Sequence, residues 1–140
     1  MSDSAPPTTE LYSPRQIFLA SYIGGPIGAS FLMAQNMTAL ANKPKAQQFL
    51  LGGFVGTILV IGLVAILPLK KPGPLVPLIY SAAIFQYAKH LFDKPLEQHL
   101  AAGGLKGSWW AVIAASLIGL VIVSAMIVAA MPMFPNFMRT

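Results

Sequence analysis

Charge is missing from four long parts of this chain. No Asp, Glu, Lys or Arg occurs in residues 16–42, 46–69, 72–88 or 107–138. Each of these parts is rich in Leu, Ile, Val, Ala, Phe and Gly. Uncharged apolar runs of about 18 residues or more read as helices that cross a bilayer. The chain carries nine basic and four acidic residues in 140, or 9% charged, whereas a soluble domain has roughly 25%. So few charges do not cover a water-facing surface. The pattern therefore predicts an all-α integral membrane protein with four transmembrane helices packed as a small bundle.

The expected spans are residues 17–34, 49–69, 75–92 and 109–134. Ser13-Pro14 supplies a start signal for the first, and Lys70, Lys71 and Pro72 stop the second. The third is the weakest, because Tyr80, Gln86, Tyr87 and Lys89 dilute it. It spans, or it lies on the surface as an amphipathic helix. The connections are short, so residues 16–135 form one domain. Residues 1–15 are a polar, Pro-rich tail expected to be disordered, and residues 136–140 are a short C-terminal tail. Asp3 and Glu10 precede any basic residue, and no small-x-small site follows, so a cleaved leader is not expected.

Composition removes several functional classes. There is no cysteine, hence no disulfide or thiol chemistry. The net charge of +5 is spread over segment ends, where membrane helices keep their cations. Nucleic-acid binding needs a continuous basic face, and none is visible. With four spans both termini share a side. The basic residues then divide five to four between the two sides, which leans towards external termini.

Gly24-Gly25-Pro26 interrupts the first span. In lipid a helix persists through Gly and Pro, because its backbone groups have no water to turn to. Small residues let helices approach closely. Gly24 and Gly28 are four apart, with Gly25 beside them, and Gly52 and Gly56 repeat the spacing in the second span. The two spans are expected to pack through these glycines as an antiparallel hairpin. A kink at Pro26 that opens a pore or substrate site is the competing reading. It ranks second, because the first span brings no ionisable group to mid-depth.

Residues 89–99 hold Lys89, His90, Asp93, Lys94, Glu97 and His99. Lys89 and Asp93 share a helix face, but Pro95 should break that face before Glu97 and His99. A solvated, salt-bridged turn is expected rather than a metal or acid/base site. No catalytic, cofactor or metal residue is assigned. The exporter class built on four short helices relies on a mid-membrane carboxylate, and no acidic residue occurs between Glu10 and Asp93. Trp109 and Trp110 read as anchors at headgroup depth. The methionines of the last span read as adaptable packing.

Tyr12, Pro14, Gln16, Gly24, Gly25, Pro26, Asn36, Leu40 and the run Gly107-Ser108-Trp109-Trp110 resemble a group of small bacterial multi-span membrane proteins. That group shares a Tyr-x-Pro-x-Gln start, a Gly-Gly-Pro in the first span and Gly-Ser-Trp-Trp before the last. The resemblance implies a multi-pass protein of the bacterial inner membrane and no activity to carry over. Two functional expectations follow. One is a non-enzymatic protein acting through helix–helix contacts with a partner, as a subunit of a membrane complex or an immunity protein against a membrane-active toxin. The other is a small oligomeric transporter or channel, with Tyr80, Gln86 and Tyr87 on a polar pathway. Its partners are then the bilayer and another membrane protein or further copies of itself, with no nucleic acid and no cofactor.

Overall fold

The computed structural model describes residues 10–67 and 73–134. Lys70, Lys71 and most of both expected tails lie outside the described residues. The chain is all-helical apart from two very short strands. In order they are β1 (Glu10–Leu11), α1 (Pro14–Ala39), α2 (Lys43–Ile66), α3 (Leu75–Ala101), β2 (Leu105–Lys106) and α4 (Trp109–Ala130), which ends in a 3-10 turn, Met131–Met133. Three helical segments are long and apolar enough to cross a membrane: α1, α2 and α4 with its 3-10 turn. α3 is long enough at 27 residues, but its polar lower half dilutes it.

α1 does not run straight. Gly25 has φ 71° and ψ −173° inside it, a conformation that costs an L side chain roughly 1–2 kcal/mol and glycine almost nothing. Pro26 follows, with its φ preset for a helix start and no N–H to leave unpaired. The chain reverses there. The side chain of Asn36 bonds both backbone groups of Tyr12: the Tyr12 N–H donates to Oδ1 at 2.7 Å, and Nδ2 donates to the Tyr12 carbonyl at 2.9 Å. A straight helix would hold residues 24 positions apart at ~36 Å. Likewise Gly28 lies against the carbonyl of Ala20, two turns away in sequence. α1 is therefore a helical hairpin, with an outbound arm of residues 14–24 and a return arm of residues 26–39.

The expectation of one continuous first span is corrected by this reversal. The arms are ~16 and ~21 Å long, each shorter than the ~30 Å thickness of a bilayer's hydrocarbon core. The hairpin is also the interior of the fold. Of its apolar window 67% is buried, against 11% for α2 and 22% for α4 with its 3-10 turn. α2, α3 and α4 each pack on α1 and barely touch one another. Ile17, Ala20, Ala29, Leu32, Met33, Phe92 and Val112 form the buried core around its two arms.

Small residues set the close approaches. A methyl group on Gly24 would come 2.7 Å from the Ser116 carbonyl oxygen, and one on Gly119 would strike the backbone of Gly24. The outbound arm and α4 run parallel, backbone against backbone. The return arm meets α2 at Gly53, where an added methyl would collide with Ser30. Gly52 faces open space, and Gly56 has only Pro26 nearby. The α2 contact thus differs from the expected Gly52/Gly56 row by one position, because the buried face of α2 is Ala46, Gly53 and Thr57.

The base of the hairpin is clamped by polar contacts. Ser13 and Gln16 form a capping box. Gln16 Nε2 donates to the Gly107 carbonyl at 2.6 Å, and the Gly107 N–H donates to the Leu11 carbonyl at 2.8 Å. β1 and β2 pair in parallel, Glu10 with Leu105 and Leu11 with Lys106. The start of α1 is thereby fixed beside the start of α4. Glu10 and Phe134 consequently stand at opposite ends of the bundle, whereas four full-length helices in alternation would bring them to one end. An odd number of full-length helices remains once α1 is taken out.

Two helix limits also differ. α2 begins at Lys43, capped by the Asn42 side chain, six residues before the expected span. α3 continues through Pro95 to Ala101. Phe92 and Ala88, both buried on this helix, hold it across the proline, whose cost in a helix interior is ~3 kcal/mol.

Candidate functional site: a cavity above the hairpin tip

The hairpin fills only the lower half of the bundle. Above its tip, α2, α3 and α4 border a half-open cavity of about 310 Å³. Gly25 and Pro26 form its floor. Val60 and Val64 of α2, Val76 of α3, and Ile127 of α4 line its walls, with Gly73 and Phe134 near the top. Among the described residues no charged side chain lines the cavity. Among the described lining residues the side-chain hydroxyls are those of Thr57 and Tyr80. Thr57 is committed: its Oγ1 donates to the Gly53 carbonyl at 2.8 Å. Tyr80 is half-buried at the level of the tip.

The other mid-depth hydroxyls are paired inside the fold. Ser81 donates to Ser21 at 3.1 Å, joining α3 to the outbound arm. Ser30 and Ser116 each donate at 2.7 Å to a carbonyl in their own helix, Ile27 and Val112. No described buried side-chain polar atom lacks a partner. Phe18 stacks on Tyr22 and meets Phe85 edge-on at 6.0 Å, which fastens α3 to the hairpin just below Tyr80.

Of the expected polar pathway, the structure places Tyr80 on the cavity and takes Gln86 and Tyr87 away from it. Both are exposed on α3, where the Tyr87 ring packs against Phe49 at 6.2 Å. Gly24, Gly25 and Gly28 form the tip itself. Trp109 and Trp110 are 52% and 80% exposed at the start of α4, after a Ser108 cap, at the charged end of the bundle. Lys89, His90, Asp93, Lys94 and Glu97 are exposed. The His99 Nε2–H donates to the Leu105 carbonyl at 3.0 Å. Among the described residues no three His, Asp or Glu side chains converge as metal ligands. Burial, and after it the Glu10 carboxylate, raise the Tyr12 phenol above its ordinary value of 10.0, so Tyr12 is a neutral, structural group.

Sequence reasoning missed the hairpin, although its signals were present. Asn36 and Gln16 are uncharged polar residues at the two ends of one apolar run, and Gly24-Gly25-Pro26 falls midway between them. Two half-length arms with polar residues at their shared base are the pattern of a re-entrant segment. The comparisons add no relative. No protein-family model matches the chain, and neither a curated protein nor a solved structure is similar to it.

Proposed function

We propose that the chain is a multi-pass protein of the bacterial inner membrane, in which α2, α3 and α4 cross the bilayer and α1 re-enters from one side. It acts by accommodating an uncharged molecule above the hairpin tip, with no bond made or broken. The observation that carries this reading is the pairing of Asn36 with Tyr12. It brings both ends of α1 to one end of the bundle and leaves the other half hollow. Broken helices at membrane depth occur where the backbone is buried in protein or lines a cavity, and transporters use such breaks to build sites near the midplane. The described lining is apolar apart from Thr57 and Tyr80, which suits binding or passage of an uncharged molecule.

The same topology supports an orientation. Arg15, Lys43, Lys45, Lys94 and Lys106 lie at the hairpin end, and Lys89 lies in the lower half of α3. These are six of the nine basic residues, a clearer bias than five to four. The positive-inside rule puts this end in the cytoplasm. The chain has no native thiol, so single cysteines test the arrangement directly. A thiol at Lys43 or Lys106 is expected to react with a membrane-impermeant maleimide only from the cytoplasmic side, and one at Gly73 only from the other. Labelling of all three from one side would overturn both topology and site.

A second reading, contact with a protein partner, is favoured by one observation. Gly52 is exposed with open space around it, between Leu51, Val55 and Leu59 on the outer face of α2. A partner helix or a second copy could seat there. Gly24 and Gly28 are already used within the fold. Disulfide or photo-crosslinking from position 52 in the native membrane distinguishes a specific partner from lipid.

A further inference from the structure

We propose that the guest of this cavity is a hydrocarbon chain that enters sideways from the leaflet opposite the charged end. The inference rests on the membrane topology above and deepens it. Three observations carry it. First, the described walls are almost entirely apolar, with Val60, Val64, Val76, Val123 and Ile127 lining the space and, among the described residues, Tyr80 adding a hydroxyl. An ion or sugar finds too few partners there to replace its water.

Second, the cavity is open at its seams. α2, α3 and α4 rely on α1 for their packing and barely touch one another. Above the tip α1 is gone, so no described residue closes the slits between them. Val60, Val64, Val76, Val123 and Ile127 are all half-exposed, as residues beside such slits should be. Their neighbours on the outer surface are Leu59, Leu63, Ile79 and Val121, which are strongly exposed and would face lipid tails. A chain passing from the leaflet into the cavity therefore stays in contact with apolar groups along its whole route.

Third, the size fits. The cavity holds about 310 Å³, roughly twice the ~150 Å³ of an apolar cavity that stays dry and takes up benzene. That is room for a folded or bent segment of a chain rather than a whole lipid. The headgroup would remain outside, and the tail would rest on the floor formed by Gly25 and Pro26. The shared chemistry is an alkyl tail, from a phospholipid or from a free fatty acid.

Photo-crosslinking of the full-length chain tests the proposal and separates the two sources. One set of phosphatidylcholine vesicles contains phosphatidylcholine with a diazirine near the tail end. A second contains a diazirine-tailed fatty acid instead. Labelled positions are mapped by mass spectrometry of peptides. Label is expected on Val60, Ile127 and Ala130 as well as on Leu59 and Val121. Ala130→Phe fills the cavity by several methylene equivalents. It should lower the label on Val60 and Ile127 about tenfold and leave Leu59 and Val121 unchanged. Cavity label in the first vesicles assigns the guest to phospholipid, and label in the second only assigns it to free fatty acid. If Leu59 and Val121 label but the cavity residues do not, the hydrocarbon guest is refuted and the topology stands. If Leu59 and Val121 fail to label, the topology itself is refuted. Fast reaction of a Val60→Cys thiol with a charged, water-borne thiosulfonate would show a watery cavity and also refute the proposal.

Discussion

Below the hairpin tip and above it, the same three helices surround very different interiors. In the lower half they close on two helical arms, with backbones in contact at Gly24 and Gly119 and polar clamps at Gln16 and Asn36. In the upper half they border a half-open cavity in which, among the described residues, Tyr80 and Thr57 alone offer a hydroxyl. Packing density in protein interiors normally leaves few voids larger than a water molecule. The buried residues gather around the hairpin, and the cavity begins where the hairpin stops. Stability is thus concentrated in one half, and the other half is free to hold something that is not part of the chain.

Substitutions should separate the two halves, and the largest effect is expected where backbones touch. Gly119→Leu drives a side chain into the Gly24 and Gly28 backbone and should cost about 3 kcal/mol or more. Gly52→Leu points into open space and should stay within about 0.5 kcal/mol of the parent. Denaturant unfolding in detergent micelles, followed by circular dichroism, compares them. Equal losses would mean that the α1–α4 approach is not what holds the lower half.

The next effect is at the clamp. Asn36→Leu removes two hydrogen bonds and leaves the Tyr12 N–H and carbonyl buried without partners, an expected loss of about 2–3 kcal/mol. Adding Gln16→Leu should cost less than its single effect, since both side chains hold the same base. Strict additivity in the double-mutant cycle would show two independent supports instead.

Added volume sharpens the contrast further. Ala29→Leu in the lower core should destabilise by about 1–3 kcal/mol through overpacking. Ala65→Leu on the cavity wall has room to grow into and should change stability by less than about 1 kcal/mol in either direction. A large loss from Ala65→Leu would mean that the upper half is packed after all.

The smallest effect concerns pH. Burial, reinforced by the Glu10 carboxylate, raises the Tyr12 phenol above 10.0 in the fold. The unfolded phenol ionises near 10, so this contribution is complete below that pH and disappears as pH rises through the folded value. Tyr12→Phe should flatten the alkaline decline in melting temperature and remove the late-titrating phenolate from the ultraviolet absorbance. An unchanged decline would assign it to other groups.

Much of the helix content was legible from the chain alone. Uncharged runs marked α2 and α4, and Ser108 with Trp109 marked the start of the latter. The reversal of α1 was not, because local rules argue for helix continuity in lipid and hydropathy averages over the break. What decides it is a tertiary contact, Asn36 to Tyr12, whose partners are separated by 24 positions. The contact face of α2 was missed for a similar reason. A glycine-spacing rule selects Gly52, four before Gly56, and only the placement of Ser30 on the return arm selects Gly53. Tyr80 was picked out for its polarity, but its separation from Gln86 and Tyr87 follows from where the hairpin ends.

The clamp at the base has a consequence for biosynthesis. Gln16 waits for a carbonyl 91 positions downstream, and a ribosome needs ~5–18 s to cover that distance. During this interval the two arms leave the exit tunnel early but lack the α4 backbone against which Gly24 and Gly28 close. The piece at the centre of the finished molecule is therefore translated first and secured last. A nascent chain arrested before Gly107 should expose its opening segment to proteases that the completed protein resists.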